Sequence, residues 1–293
     1  MSPFYQGVFL IILSAVSFAF IPIFALYAYE GGASVTALLL FRFILASICF
    51  FTYLKWKNKK ISIPKNIKHL VLLGGGFYTV QSTLYFSSVK YIPVSLAVLI
   101  FYTYPIFVAM GSSLVEKEKL TKQTVGSIGI SLLGLAMVLG TSFGNINVFG
   151  VLLALGAGLS YSGYFLFGNR VLKNASPLET SAFICLFASI SLAVIGISSG
   201  SLTFQLTAKA WFATIGVSLV CTVLAIFTLF HGLKLIGSTR AAILSMVEPL
   251  VTILFSAILF GERMTWLQLL GGIIVLAGAV LSVLSKERER EPA

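Results

Sequence analysis

The chain has 293 residues, 58% of them hydrophobic and only 10% charged, with a formal net charge of +11. Its mean hydropathy of +1.01 lies outside the range of soluble domains. Apolar runs of about 20 residues recur throughout, each long enough to cross a ~30 Å hydrocarbon core as a helix, whereas a transmembrane β-barrel would need ~10-residue alternating segments.

The runs predict an all-α membrane protein of ten transmembrane helices, at 6–28, 34–54, 68–88, 92–114, 122–140, 147–168, 177–198, 209–230, 239–260 and 264–285. The first carries Ser14, Ser17, Phe18 and Ile21 on one stripe, with Pro22 bending its outer half. The second holds Arg42 near its centre, where an unpaired charge costs at least ~2.5–3.5 kcal/mol. Gly74-Gly75-Gly76 opens the third helix. It lacks the strand–helix context and lysine of a phosphate loop and reads as flexibility or close packing. Tyr78, Gln81, Ser82 and Tyr85 follow at i, i+3, i+4 and i+7, one face of a helix. That stripe suits either a solute cavity or hydrogen bonds between helices.

In the fourth helix Tyr102, Thr103 and Tyr104 precede Pro105, a hydroxyl-rich patch at mid-membrane depth. The sixth repeats the first helix's stripe as Ala157, Ser160, Tyr161 and Tyr164, and its Ala154, Gly158 and Ser162 permit close helix approach. The eighth shows a milder polar face of Ser218, Cys221, Ala225 and Thr228, with Thr222 beside it. The ninth places Glu248 next to Pro249. Neither proline can donate to the carbonyl four residues back, so each helix should kink, as a hinge or as a static bend. Arg42 and Glu248 are the full charges predicted deep in the bilayer. They either pair or both border a cavity, and Glu248 is alternatively a proton-coupling carboxylate. Cys49, Cys185 and Cys221 lie in apolar spans without metal-like spacing, and no cofactor or metal is expected.

A displacement of 144 positions lays Pro105 on Pro249, and with it Phe86 on Phe230, Lys90 on Lys234, Glu118 on Glu262, Thr121 on Thr265 and Gly134 on Gly278. A displacement of 143 lays Gly7 on Gly150 and Ser17 on Ser160. Rare residues falling in one register indicate a duplication, with a first repeat over 1–143 and a second over 144–293. Five spans per copy make the copies inverted, which puts a binding site near the midplane between them. Sixteen of the twenty Lys and Arg residues fall on the face shared by the termini and three on the other. That bias predicts cytoplasmic termini, and the basic charge belongs to loops rather than to a nucleic-acid surface.

Glu248-Pro249-Leu250, Phe260-Gly261-Glu262-Arg263-Met264-Thr265 and Gly271-Gly272 resemble the drug/metabolite transporter superfamily, in particular its ten-helix EamA-type exporters. Tyr104-Pro105 with Glu118-Lys119-Leu120-Thr121 forms a weaker first copy, and Arg42 also sits where that family commonly has an arginine. The resemblance implies a basket of helices in the inner membrane and export of small metabolites such as amino acids. The expected substrate-binding residues are Tyr78, Gln81, Ser82, Tyr85, Tyr102, Tyr104, Tyr161, Tyr164, Thr222 and Glu248, with Pro105 and Pro249 as hinges. A monomer and a homodimer both remain open. The rival readings are a membrane-embedded enzyme, for which no convergent nucleophile, base or metal cluster is visible, and a scaffold subunit that does not itself transport.

Overall fold

The computed structural model describes residues 2–58, 67–88, 90–92, 94–115, 120–140, 147–260 and 265–290. Among these no strand occurs, and ten helical segments follow one another. They are α1 (Pro3–Glu30), α2 (Val35–Trp56), α3 (67–88), α4 (94–115), α5 (Lys122–Leu139), α6 (Val148–Leu172), α7 (Pro177–Ser198), α8 (Ala208–Ile236), α9 (238–260) and α10 (Trp266–Arg290). All but α3 are apolar enough along their described length to count as membrane spans on composition alone. Gly74–Gly76 and the polar residues that follow lower the hydropathy of α3. The predicted motif residues Glu118, Lys119 and 261–264 lie outside the described residues.

Helix ends are set by local chemistry. Ser34, Thr121, Asn147, Ser176 and Thr207 each accept a backbone N–H of the first turn that follows, satisfying an otherwise orphaned donor. Ser176 does so from Glu179, three residues on, with Pro177 opening the helix, as a good helix start requires. Gly140 and Gly237 end α5 and α8 at φ of 54° and 84°, where a side chain would be strained.

Three helices that start and end as expected are broken within. α1 is interrupted at Phe20, just before Pro22. α4 is interrupted at 102–103, between Val94–Phe101 and Tyr104–Val115, and α9 at 246–247, between Ser238–Ser245 and Glu248–Phe260. The last two breaks are repeat equivalents. At both the chain tightens to i→i+3 bonding, with the Thr103 N–H on the Ile100 carbonyl (3.1 Å) and the Met246 N–H on the Ile243 carbonyl (3.1 Å). Each proline then sits in the first turn of a new half-helix, where no N–H is needed.

Contacts between the two copies obey a twofold rule. On α5 and α10, Gly134 packs against Gly271 and Val275, while its equivalent Gly278 packs against Ser127 and Ser131, the equivalents of those same two residues. Elsewhere Gly7 of α1 lies against Leu235 and Ile236, and Gly150 of α6 lies against Tyr91 and Ile92, the glycines displaced by 143 and the residues they meet by 144. Such reciprocal contacts define a pseudo-twofold axis. Because each copy has five spans, the axis lies in the membrane plane, and the architecture is two inverted five-helix repeats. The repeats interleave: α1 packs on α8, α6 on α3 and α2 on α7. At these seams small residues let backbones approach, which is the main source of helix association in lipid. Large apolar side chains such as Leu114 and Phe212, 81% and 82% exposed, face outward.

Candidate functional site

Arg42 is 2% exposed, about a third of the way along α2. Its Nε–H donates to Thr222 Oγ1 (2.6 Å), and Nη2 donates to Tyr78 Oη (3.1 Å) and more weakly to the Cys221 carbonyl (3.4 Å). The guanidinium also stands 5.0 Å from the centre of the Phe43 ring. These contacts offset the cost of burying the charge.

Tyr78 and Thr222 are repeat equivalents, and a local irregularity explains how both reach one arginine. α3 runs as a π-helix over Leu72–Tyr78, and α8 over Leu219–Leu224. Each wider turn is reinforced by a threonine hydroxyl donating five residues back, Thr79 to the Gly74 carbonyl (3.1 Å) and Thr222 to the Val217 carbonyl (3.0 Å). Single π turns rotate the residues that follow and recur at functional positions. Gly74 also seats α3 directly on the Ile184 backbone of α7, where any side chain would collide.

From Tyr78 a continuous wall of rings crosses the bundle. Tyr78 meets Tyr164 edge-on (centroids 5.8 Å apart), Tyr164 lies nearly parallel to Tyr161 (5.7 Å, 10°), Tyr161 meets Tyr104 (4.8 Å) and Tyr104 meets Tyr102 (5.9 Å). Phe43, Phe101, Phe165 and Phe230 brace it. Tyr85 joins through Phe101 (5.3 Å). The Tyr104 hydroxyl donates to the Ala242 carbonyl of α9 (3.2 Å), tying the two broken helices together.

The wall ends at Glu248, the first residue of the second half of α9. The Tyr102 hydroxyl lies beside its carboxylate. Tyr85, Tyr104 and Tyr161 also lie within its electrostatic reach. A carboxylate at a helix N-terminus is favoured by the unpaired amides there. Glu248, Tyr161, Tyr85, Phe101 and Gln81 keep partial accessibility in the midst of buried neighbours, so the wall borders unfilled space.

Arg42 and Glu248 do not pair. Among the described residues the one ion pair within 4.0 Å is Lys209–Glu30 (2.6 Å), at the end of the bundle where α1 and α8 meet. Gln81 and Ser82 bond each other (3.3 Å), and no ring contact or hydrogen bond joins them to the tyrosine wall. On the polar face of α8, Ser218 and Thr228 are buried and donate to their own helix at the Thr214 and Leu224 carbonyls (2.6 and 2.8 Å). What α8 contributes is Thr222 and the Cys221 carbonyl. The bracing phenylalanines and the π turns were not foreseen. A cleft of about 320 Å³ lined by His69, Phe167, Arg170, Val171 and Asn174 lies apart from Arg42 and Glu248.

The sequence matches the EamA-like transporter family twice, over residues 5–140 and 148–284. It is 28% identical over 272 residues to an uncharacterized transporter of Archaeoglobus fulgidus, covering 93% of this chain and 94% of that one. The uncharacterized transporter YcbK of Bacillus subtilis is 24% identical over 279 residues, covering 90% and 88%. A solved crystal structure superposes with a TM-score of 0.85 at 17% identity, covering 95% of this chain and 98% of that one, a likeness of fold.

Proposed function

The chain belongs to the EamA-like transporter family, and we propose that within it this protein is a secondary transporter exporting small metabolites, amino acids foremost, across the inner membrane. The observation that carries the reading is the tyrosine wall strung between two unpaired, opposite charges at mid-bundle, Arg42 and Glu248. A zwitterion with an apolar or aromatic side chain matches that order of groups: an anion pole, a ring surface for stacking and a cation pole. Two inverted repeats supply alternating access, because each copy can take the shape its partner holds. Pro105 and Pro249 sit at the breaks about which half-helices would swing. Glu248 is also the group through which a proton would couple.

Flux of radiolabelled amino acids in proteoliposomes tests the reading, with and without an imposed pH gradient. Uptake above that of protein-free liposomes, lowered roughly ten- to 100-fold in Glu248→Gln, is the expected result. If no amino acid in the full set of twenty crosses faster than in protein-free liposomes, the reading is wrong. Acceleration by the gradient would assign proton coupling.

A further inference from the structure

Several polar groups around Arg42 remain unspent. Nε and Nη2 are taken up by Thr222, Tyr78 and the Cys221 carbonyl, while no partner among the described residues meets the two N–H groups of Nη1. Beyond Tyr78, the Tyr164 hydroxyl is buried on a residue 1% exposed and has no hydrogen-bond partner. Tyr164 lies within electrostatic reach of Arg42, and its ring packs edge-on against Tyr78. Tyr78 accepts from Arg42, so its own proton is also free to be given. Buried hydroxyls rarely go unpaired, and the Tyr164 ring lies against Tyr78, whose hydroxyl meets the same guanidinium.

These vacancies share one polarity. Nη1 offers two donors and no acceptor, and the two tyrosine hydroxyls add one donor each. A donor-rich pocket with a fixed positive charge selects an anion. We infer that Arg42 Nη1 and the Tyr164 hydroxyl, with Tyr78 beside them, form a subsite for the carboxylate of the transported solute. The π turns make the subsite possible. By bringing Thr222 to Nε and Tyr78 to Nη2 they hold the guanidinium in place and leave Nη1 for ligand. An arginine so held presents the Nη1 N–H groups in fixed directions and keeps its charge at any accessible pH, which suits a carboxylate better than the freely rotating ammonium of a lysine would.

The inference rests on the transport reading, so its test separates the two. Purified full-length protein is probed by thermal shift with L-leucine and L-phenylalanine, with their amine-only analogues (isopentylamine, phenethylamine) and with their acid-only analogues (4-methylpentanoate, 3-phenylpropionate). Sodium chloride and inorganic phosphate serve as anion controls. Tyr164→Phe deletes the orphan hydroxyl. Without ligand the variant should melt at or above the wild-type temperature, because an unsatisfied buried group has gone. Its affinity for every carboxylate probe should fall roughly ten- to 100-fold, the range for a hydrogen bond to a charged group, with the amines unaffected. Arg42→Lys should lose the carboxylate probes further.

Equal carboxylate affinity in wild type and Tyr164→Phe would overturn the subsite while amino-acid flux still stood. Protection by chloride or phosphate matching that by the carboxylates would make it an inorganic-anion site and overturn it too. If no probe binds and no amino acid crosses the membrane, the transport reading fails and the subsite fails with it.

Discussion

The breaks in α4 and α9 are the same backbone device given different chemistry. Both interrupt the helix at equivalent residues, close with i→i+3 bonding and restart with a proline in the first turn. The residue before the proline is Tyr104 in one and Glu248 in the other. Tyr104 is 1% exposed and spends its hydroxyl on the α9 backbone. Glu248 remains partly accessible beside four tyrosines. One break has become a strut and the other a pole of the proposed site. Duplication thus supplied the scaffold, and divergence at one position supplied the chemistry.

The sharpest way to break that comparison is at the seam that holds the copies in register. Gly134→Leu, or its equivalent Gly278→Leu, would drive a side chain into backbone atoms of the facing helix. Overpacking of this kind costs about 1–3 kcal/mol in yielding cores and more where the obstacle is backbone. Either variant should lose its monodisperse peak in size-exclusion chromatography. Folded protein with an unchanged melting temperature would mean that the seam is not a close contact.

Next in size is the contrast between the paired positions themselves. Glu248→Gln removes the charge and should lower amino-acid flux roughly ten- to 100-fold, the worth of a charge-assisted hydrogen bond. Tyr104→Phe removes a neutral hydrogen bond to the Ala242 carbonyl and should cost about 1 kcal/mol of stability, with flux reduced no more than about tenfold. Equal effects on flux in the two variants would erase the distinction between strut and pole. Pro249→Ala and Pro105→Ala probe the shared device. Each returns an N–H that can close on the carbonyl four residues back, and each should slow flux while ligand-induced thermal stabilisation persists. Undiminished flux in the double variant would sink the hinge.

The spans and the two proline breaks were legible because they follow from short-range rules: hydrophobic run length, capping residues and a missing N–H. The tyrosines stood out because hydroxylated rings are scarce at mid-membrane depth. The bracing rings did not. Phe43, Phe101, Phe165 and Phe230 are four of 25 phenylalanines in an apolar chain, and nothing local separates a buried ring from a lipid-facing one. The polar face of α8 was legible but its bonding was not, since serine and threonine in a helix can satisfy themselves on the preceding turn. The partners of Arg42 were illegible for another. Thr222 is 180 positions away and reaches the guanidinium from a π turn, which has no residue signature beyond the glycines that mark its counterpart in α3.

The smallest effect comes from the same seam helices, on their outward faces. Gly126 and Gly129 of α5 have open space where a side chain would stand. Their equivalents in α10 are Leu270 and Ile273, 53% and 63% exposed. The second copy therefore already shows what this face tolerates, and lipid solvates such side chains well. Grafting them onto the first copy as Gly126→Leu and Gly129→Ile replaces two poor helix formers, each replacement worth less than about 1 kcal/mol. The double variant should melt slightly higher than wild type, with amino-acid flux unchanged, because neither position touches the tyrosine wall. A lower melting temperature would mean that these glycines meet a partner, such as a second copy of the chain, and that the outward faces of the repeats have diverged as the two breaks have.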